Sequence, residues 1–128
     1  MLCWGSAFGA ALSAVESLQQ KGKQVSLLHL QCLYPFHEEL GNVLSGFDKI
    51  LIPEMNLGQL SVLIRSEYLV DALSMKKVQG KPFMVSEIRE RIESLVKLFG
   101  CEYREGRARG PHSTGFAVRR IRYVFVLN

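Results

Sequence analysis

At 128 residues, of which 48% are apolar and 22% charged, the chain has room for one domain around one core and should bury about two-thirds of the surface its unfolded form exposes. No run of about 20 apolar residues occurs, and the opening "MLCWGSAFGAALSAV" lacks a basic lead and a small-residue cleavage pattern, which argues for a cytoplasmic protein without membrane span or secretory signal. The net charge of +4 hints at nucleic acid until it is mapped: residues 1–100 carry seven Lys and three Arg against ten acidic groups, and the excess sits in residues 101–128, where six Arg face two Glu.

Three cysteines, Cys3, Cys32 and Cys101, are odd in number and far apart, with no C-x-x-C. Neither a disulfide framework nor a zinc or iron-sulfur site is expected, and Cys3 and Cys32 read as small apolar fillers.

In chain order, "MLCW" reads as a short strand and "GSA" as a turn. Phe8, Ala11, Leu12, Val15 and Leu18 then mark one face of a helix that stops at Gly22, with Ser6 as its expected N-cap. "QVSLLHL" is nearly continuous apolar sequence, the pattern of a strand covered on both faces, and Pro35 prevents its continuation. Leu40, Val43, Leu44 and Phe47 give a short helix and "KILIP" a third strand. From Gly58, Leu60, Leu63, Ile64 and Tyr68 give another helix. "SMKKVQG" is a modest strand whose Lys76 and Lys77 suit an edge, and Val85, Ile88, Ile92, Leu95, Val96 and Phe99 form the stripe of a last helix. Strands alternating with helices call for right-handed crossovers and a mostly parallel sheet: an α/β domain, small and doubly wound, with helices on both faces. In such a domain the loops leaving the carboxyl ends of the strands share one rim, where ligands or partners bind.

Two stretches fall on that rim. The turn after the first strand, with Gly5 and Ser6, could present backbone N–H groups to an anion, although it lacks the G-x-G-x-x-G spacing and the acidic residue that would hold a ribose. The turn after the third strand carries Glu54, Asn56, Gly58 and Gln59. A lone carboxylate there can be a general acid or base, a local helix cap, or a group that positions a neighbouring domain; the last reading is preferred, because no catalytic partner is visible. His29 reads as a satisfied core histidine. His37, beside Glu38 and Glu39, has no second ligand at metal spacing.

The stretches "PEMNLGQLSVLIRSEYLVD", "KKVQGKPFMVSEIRERI" and "CWGSAFGAALSAVESLQQKGKQVSLLHLQCLYPF" together resemble the C-terminal domain of the α subunit of 2-oxoacid:ferredoxin oxidoreductases, most closely the 2-oxoglutarate enzymes, over roughly residues 1–97. The resemblance implies a transketolase C-terminal-like fold with one antiparallel strand, for which "SMKKVQG" is the candidate. It implies a parent enzyme that converts 2-oxoglutarate, coenzyme A and oxidised ferredoxin to succinyl-CoA, carbon dioxide and reduced ferredoxin. Thiamine diphosphate, magnesium and an iron-sulfur cluster would be held by other α-subunit domains and the β subunit, so this chain alone would be inactive, with no catalytic, cofactor-binding or metal-binding residue of its own. Those domains and the β subunit are then the implied partners, ferredoxin an indirect one, and an upstream pyrimidine-binding domain is expected. Carried over to this sequence, the interface residues are Glu54, Asn56, Gly58 and Gln59, with Arg65 as an ion-pair donor to a desolvated carboxylate. The isolated chain could also use its partner-facing rim to form a homodimer. A free-standing flavodoxin-like anion- or nucleotide-binding module using Gly5 and Ser6 is the alternative.

The domain is thus assigned to residues 1–99 and an atypical Arg/Gly-rich tail to residues 100–128. For the tail there are three readings: a basic nucleic-acid arm in which Tyr123 could stack on a base, an extra strand pairing with the sheet edge or another chain, and the product of an out-of-frame GC-rich gene segment, favoured by the switch to Arg-only usage.

Overall fold

The computed structural model describes residues 1–99 in full and 124–127 as backbone. The expected alternation is present: β1 (Leu2–Trp4), a 3-10 turn (Gly5–Ala7), α1 (Phe8–Gln20), β2 (Leu27–Leu30), α2 (Leu40–Ser45), β3 (Ile50–Glu54), α3 (Gln59–Tyr68), β4 (Ala72–Lys76), α4 (Val85–Phe99) and β5 (Val124–Leu127). The strands form two parallel ladders, β1-β2-β5 and β3-β4. β1 lies beside β3 but shares no ladder with it. Their amino ends meet around a void of about 10 Å³ lined by Met1, Ser26, Leu27 and Ile50, and just past their carboxyl ends Ser6 Oγ contacts Met55 Sδ at 3.7 Å. β1 and β3 therefore run the same way, and all strand ends reach one rim.

The pleat of this layer sends alternate side chains to two cores. Cys3, Leu27 and Leu51 pack with Ala11, Ala14, Val15 and Leu18 of α1 and Ile88 and Ile92 of α4. Leu2, Leu28, Leu30, Ile50, Ile52 and Ala72 face Leu40 and Leu44 of α2 and Leu60 and Ile64 of α3. Helices thus cover both faces, as a doubly wound layer requires. Every residue of β3 is buried, because it lies inside the layer, between β1 and β4, with helices over both faces. α2 and α3 approach closely at Gly41: a Cβ there would lie 2.8 Å from Tyr68 Cδ1, so the absent side chain gives the tyrosine ring its seat.

Three expectations are corrected. "SMKKVQG" is not an antiparallel strand. β4 starts earlier, at Ala72, and runs parallel to β3 from Ile50↔Ala72 to Glu54↔Lys76, since α3 carries the chain back to the starting end of the layer. Its edge position holds, β3 being its one ladder neighbour among the described residues. Ser6 does not cap α1: it lies in the 3-10 turn, and Ala7 precedes the helix without a side-chain cap. Cys32 is exposed, unlike fully buried Cys3, and is no core filler. In the tail, β5 pairs with the outer edge of β2, from Leu27↔Val124 to Leu30↔Leu127. The Arg/Gly-rich stretch and Tyr123 lie outside the described residues.

Candidate functional site

The rim is built most tightly after β3. A helix starts with N–H groups that have no partner within it, and at α3 the residue before the first turn is Gly58, which has no side chain to offer. Two residues upstream supply the acceptors. Asn56 Oδ1 takes the N–H of Gly58 at 2.7 Å and of Gln59 at 3.3 Å. Glu54, at the end of β3, takes the N–H of Leu60 on Oε2 at 2.8 Å and of Ser61 on Oε1 at 3.2 Å. The Ser61 hydroxyl also donates to Oε1, and Ser74 Oγ of β4 donates to the same oxygen at 3.0 Å. Glu54 is only 1% exposed, so its charge is stabilised by these donors and by the positive end of α3 rather than by water. Its backbone carbonyl accepts from Lys77 N–H at 2.9 Å. One residue therefore joins β3, α3 and β4.

Gly58 makes this turn possible. Its φ of +100° lies in the left-handed region, and a Cβ would come 2.7 Å from Lys76 Cε and 3.1 Å from Ser74 Oγ. The Lys76 side chain lies across the glycine, closing the turn from the β4 side.

Placed on this frame, the expected interface residues separate. Glu54 and Asn56 are caps of α3, the reading of Glu54 that the sequence argument ranked lower. Arg65 does not pair with Glu54; its guanidinium Nη1 donates to the Ala72 carbonyl at 3.2 Å, tying α3 to β4. Gln59 stands exposed at the start of α3. Gly5 and Ser6 lie across from this turn, with Ser6 against Met55. What sequence reasoning did not single out is the apolar face of the rim: Trp4 at the end of β1, Tyr34 after β2, Met55 and Leu57 after β3, and Val78 and Met84 after β4 are all large, apolar and exposed, Leu57 at 71% and Tyr34 at 92%. Each strand from β1 to β4 thus delivers an uncovered apolar side chain to the same edge. The signal was present as apolar residues inside turn sequences, where polar ones are usual.

A second anchor fixes the far side of the rim. Lys77 Nζ donates to Glu87 Oε1 and Oε2 at 2.8 and 2.6 Å and to the Pro82 carbonyl at 3.1 Å, while Glu87 Oε2 takes the N–H of Met84 at 2.8 Å. That last bond is half of a capping box for α4. The Lys77 ammonium, first, and the Met84 N–H hold the Glu87 carboxyl below its ordinary range. Burial pushes the Cys3 thiol up to about 12. His29, within β2, packs on Phe8 with ring centres 4.3 Å apart. Its Nε2 has no hydrogen-bond partner among the described residues, so packing rather than hydrogen bonding secures it.

Among the described residues no three His, Cys, Asp or Glu side chains come together as a metal site, and no helix is long and apolar enough to cross a membrane. The void at the strand starts, at about 10 Å³, has room for about one water. That void has no room for thiamine diphosphate.

Comparison with known proteins gives the family and relatives that the chain resembles. Residues 1–88 match the family model described as pyruvate:ferredoxin oxidoreductase core domain II. The chain is 41% identical over 96 residues to the 2-oxoglutarate oxidoreductase subunit KorA of Mycobacterium tuberculosis, covering 75% of this chain and 15% of that protein. It is 39% identical over 59 residues to the 2-oxoglutarate synthase subunit KorA of Methanocaldococcus jannaschii, covering 46% and 16%. It is 28% identical over 100 residues to the alpha subunit of 2-oxoacid:ferredoxin oxidoreductase 2 of Aeropyrum pernix, covering 76% and 16%. The chain therefore spans about one-sixth of the length of these relatives. No solved structure matches it.

Proposed function

We propose that this chain, which belongs to the pyruvate:ferredoxin oxidoreductase core domain II family, is the C-terminal, non-catalytic domain of a 2-oxoglutarate:ferredoxin oxidoreductase α subunit, and that its work is assembly. The observation that carries this reading is the rim: exposed apolar side chains from four adjacent strand ends, held in place by the Glu54 and Lys77 anchors rather than arranged around a reacting group. An apolar surface of this kind is covered in a functioning assembly, because isolated soluble domains rarely leave large apolar patches uncovered. Its partners are the remaining α-subunit domains and the β subunit, with ferredoxin engaged only through the whole complex, in the cytoplasm. Thiamine diphosphate, magnesium and the iron-sulfur cluster belong to those other parts.

In this reading Glu54 and Asn56 act indirectly, by fixing the loop that presents Met55, Leu57 and Gln59. The arrangement suits docking because the apolar rim gains affinity from desolvation while the caps beneath keep it from rearranging.

The test is titration of the chain into the rest of the α subunit together with the β subunit, followed by calorimetry and by 2-oxoglutarate- and CoA-dependent reduction of ferredoxin. Association is expected, and Leu57→Ser should weaken it by about tenfold, the effect of losing one well-buried apolar anchor. A complex of unchanged affinity with Leu57→Ser, Met55→Ser and Val78→Ser combined would remove the rim from the interface.

A further inference from the structure

We infer that, given the assembly role proposed above, the outward face of α3 is a second docking surface, taken by an α-helix of the remainder of the α subunit that lies lengthwise along it.

The inner side of α3 buries Leu60, Ser61 and Ile64. A surface helix pairs such a side with a polar one, and its neighbours do so: α1 turns Ser13, Glu16 and Gln20 to solvent, and α4 turns Glu90, Arg91 and Ser94. α3 does not. Its outward ridge is Gln59, Val62, Leu63 and Ser66, spaced three and four apart and free of charge, with Val62 66% exposed. The Leu69 N–H still donates to the Arg65 carbonyl at 3.0 Å, so its Cα extends the same spiral two turns beyond Val62.

Leu69 supplies an independent observation. It closes α3 at a φ of +52°, in the left-handed region, where glycine or asparagine is the usual residue and a larger side chain costs stability. That side chain is 89% exposed, so packing within the domain does not offset the strain. A large apolar group kept both strained and in water points to a contact made outside the domain.

The ridge starts beside Leu57 on the rim and runs about 15 Å along α3 to the other end of the layer. A partner confined to the rim would leave its far half bare. Spacings of three and four residues fit the groove of a second helix, and Ser66, small and set between Val62 and Leu69, lets the two backbones approach. On the flank of the ridge Glu67 is exposed and has no ion pair among the described residues, which selects a helix whose apolar stripe is bordered by Lys or Arg. The source is the same polypeptide: in the relatives the matched segment is 15–16% of one continuous chain, so the rest of that chain is tethered to it at high effective concentration.

The chain is titrated into the rest of the α subunit together with the β subunit. Val62→Glu combined with Leu63→Glu should weaken association at least about tenfold while the urea midpoint of the free chain stays unchanged. Leu69→Gly should raise that midpoint and yet weaken association several-fold, a pair of opposite effects that a purely structural residue does not give. Benzoylphenylalanine in place of Leu63 should photo-cross-link, in the assembled complex, to a helix of the α subunit, identified by peptide mapping. If the parent chain does not associate at all, the assembly role and the docking face fall together. If association is weakened by Leu57→Ser but not by the Val62 and Leu63 substitutions, the docking face alone is overturned. A cross-link to the β subunit or to a second copy of this chain overturns the assigned occupant.

Discussion

Glu54 Oε2 accepts the backbone N–H of Leu60 at 2.8 Å, so the last residue of one strand caps the helix that follows it. Because the carboxylate is buried and receives two backbone amides and two hydroxyls, Glu54→Ala leaves several buried donors without an acceptor. It should lower unfolding stability by about 3 kcal/mol. Glu54→Gln, which keeps one acceptor oxygen, should recover part of the loss. Urea unfolding of the two variants checks this; a change below about 0.5 kcal/mol in Glu54→Ala, within the range of ordinary surface substitutions, would mean that the cap is dispensable.

Gly58→Ala meets two separate obstacles. The left-handed φ of +100° costs a Cβ-bearing residue about 1–2 kcal/mol, and the crowding against Lys76 Cε adds to it. The second part falls on the far end of a flexible side chain, so Lys76→Ala should relieve it and leave the first. A double-mutant cycle should therefore show a favourable coupling between the two substitutions, and strict additivity would place Lys76 elsewhere.

The Lys77–Glu87 pair gives stability a dependence on acid. The Glu87 carboxyl titrates below its ordinary 4.5 in the folded chain, chiefly through Lys77. A depressed folded value means that the unfolded state binds the proton first. The contribution of the pair is therefore full above pH 4.5 and is lost as pH falls through the folded value. Urea midpoints measured down this range should fall less steeply in Glu87→Gln than in the parent chain. Equal slopes in both would show that Glu87 has no such linkage.

Cysteine chemistry should divide along burial. Cys3 is fully buried, its thiol pushed up to about 12 by loss of solvation, whereas Cys32 is exposed and its Sγ donates to the Tyr34 carbonyl at 3.2 Å. Alkylation at mildly alkaline pH, read by peptide mass spectrometry, should modify Cys32 in the native chain and Cys3 only after denaturant is added. Rapid native labelling of Cys3 would contradict the packing of β1. The raised value also has a stability sign: above its ordinary 9 the unfolded thiol ionises while the folded one does not, so the fold weakens as pH climbs from 9 toward 12.

Much of this architecture was legible in the chain itself because the periodicities are clean. The continuous apolar run around Leu27–Leu30 and the stripe Ile88, Ile92, Leu95 read correctly as a covered strand and an amphipathic helix. The start of β4 was missed by two residues, Ala72 and Leu73, because Ala72 is a weak strand former; their placement follows from the β3 ladder, a tertiary constraint that no local pattern carries. Its direction was missed with it, since the turn of α3 fixes it and the residues of β4 do not. At the rim, spacing located Glu54, Asn56 and Gly58 but not their roles. A carboxylate four residues before a helix looks like a surface group until the bend at Gly58 folds it back over the first turn. Arg65 was assigned to Glu54 from the family resemblance and its place on the following helix, whereas the hydroxyls of Ser61 and Ser74, silent in any charge count, are the groups that reach it.

The place where β1 and β3 touch without exchanging ladder bonds gives the rim a line of least resistance. Elsewhere along this edge, prising two neighbouring strands apart means breaking backbone pairs in a row. Between Ser6 and Met55 it means giving up one hydroxyl-to-sulfur contact and some apolar packing. Separating the β1-β2 half from the β3-β4 half along that seam breaks no ladder, so each half keeps its own backbone pairs.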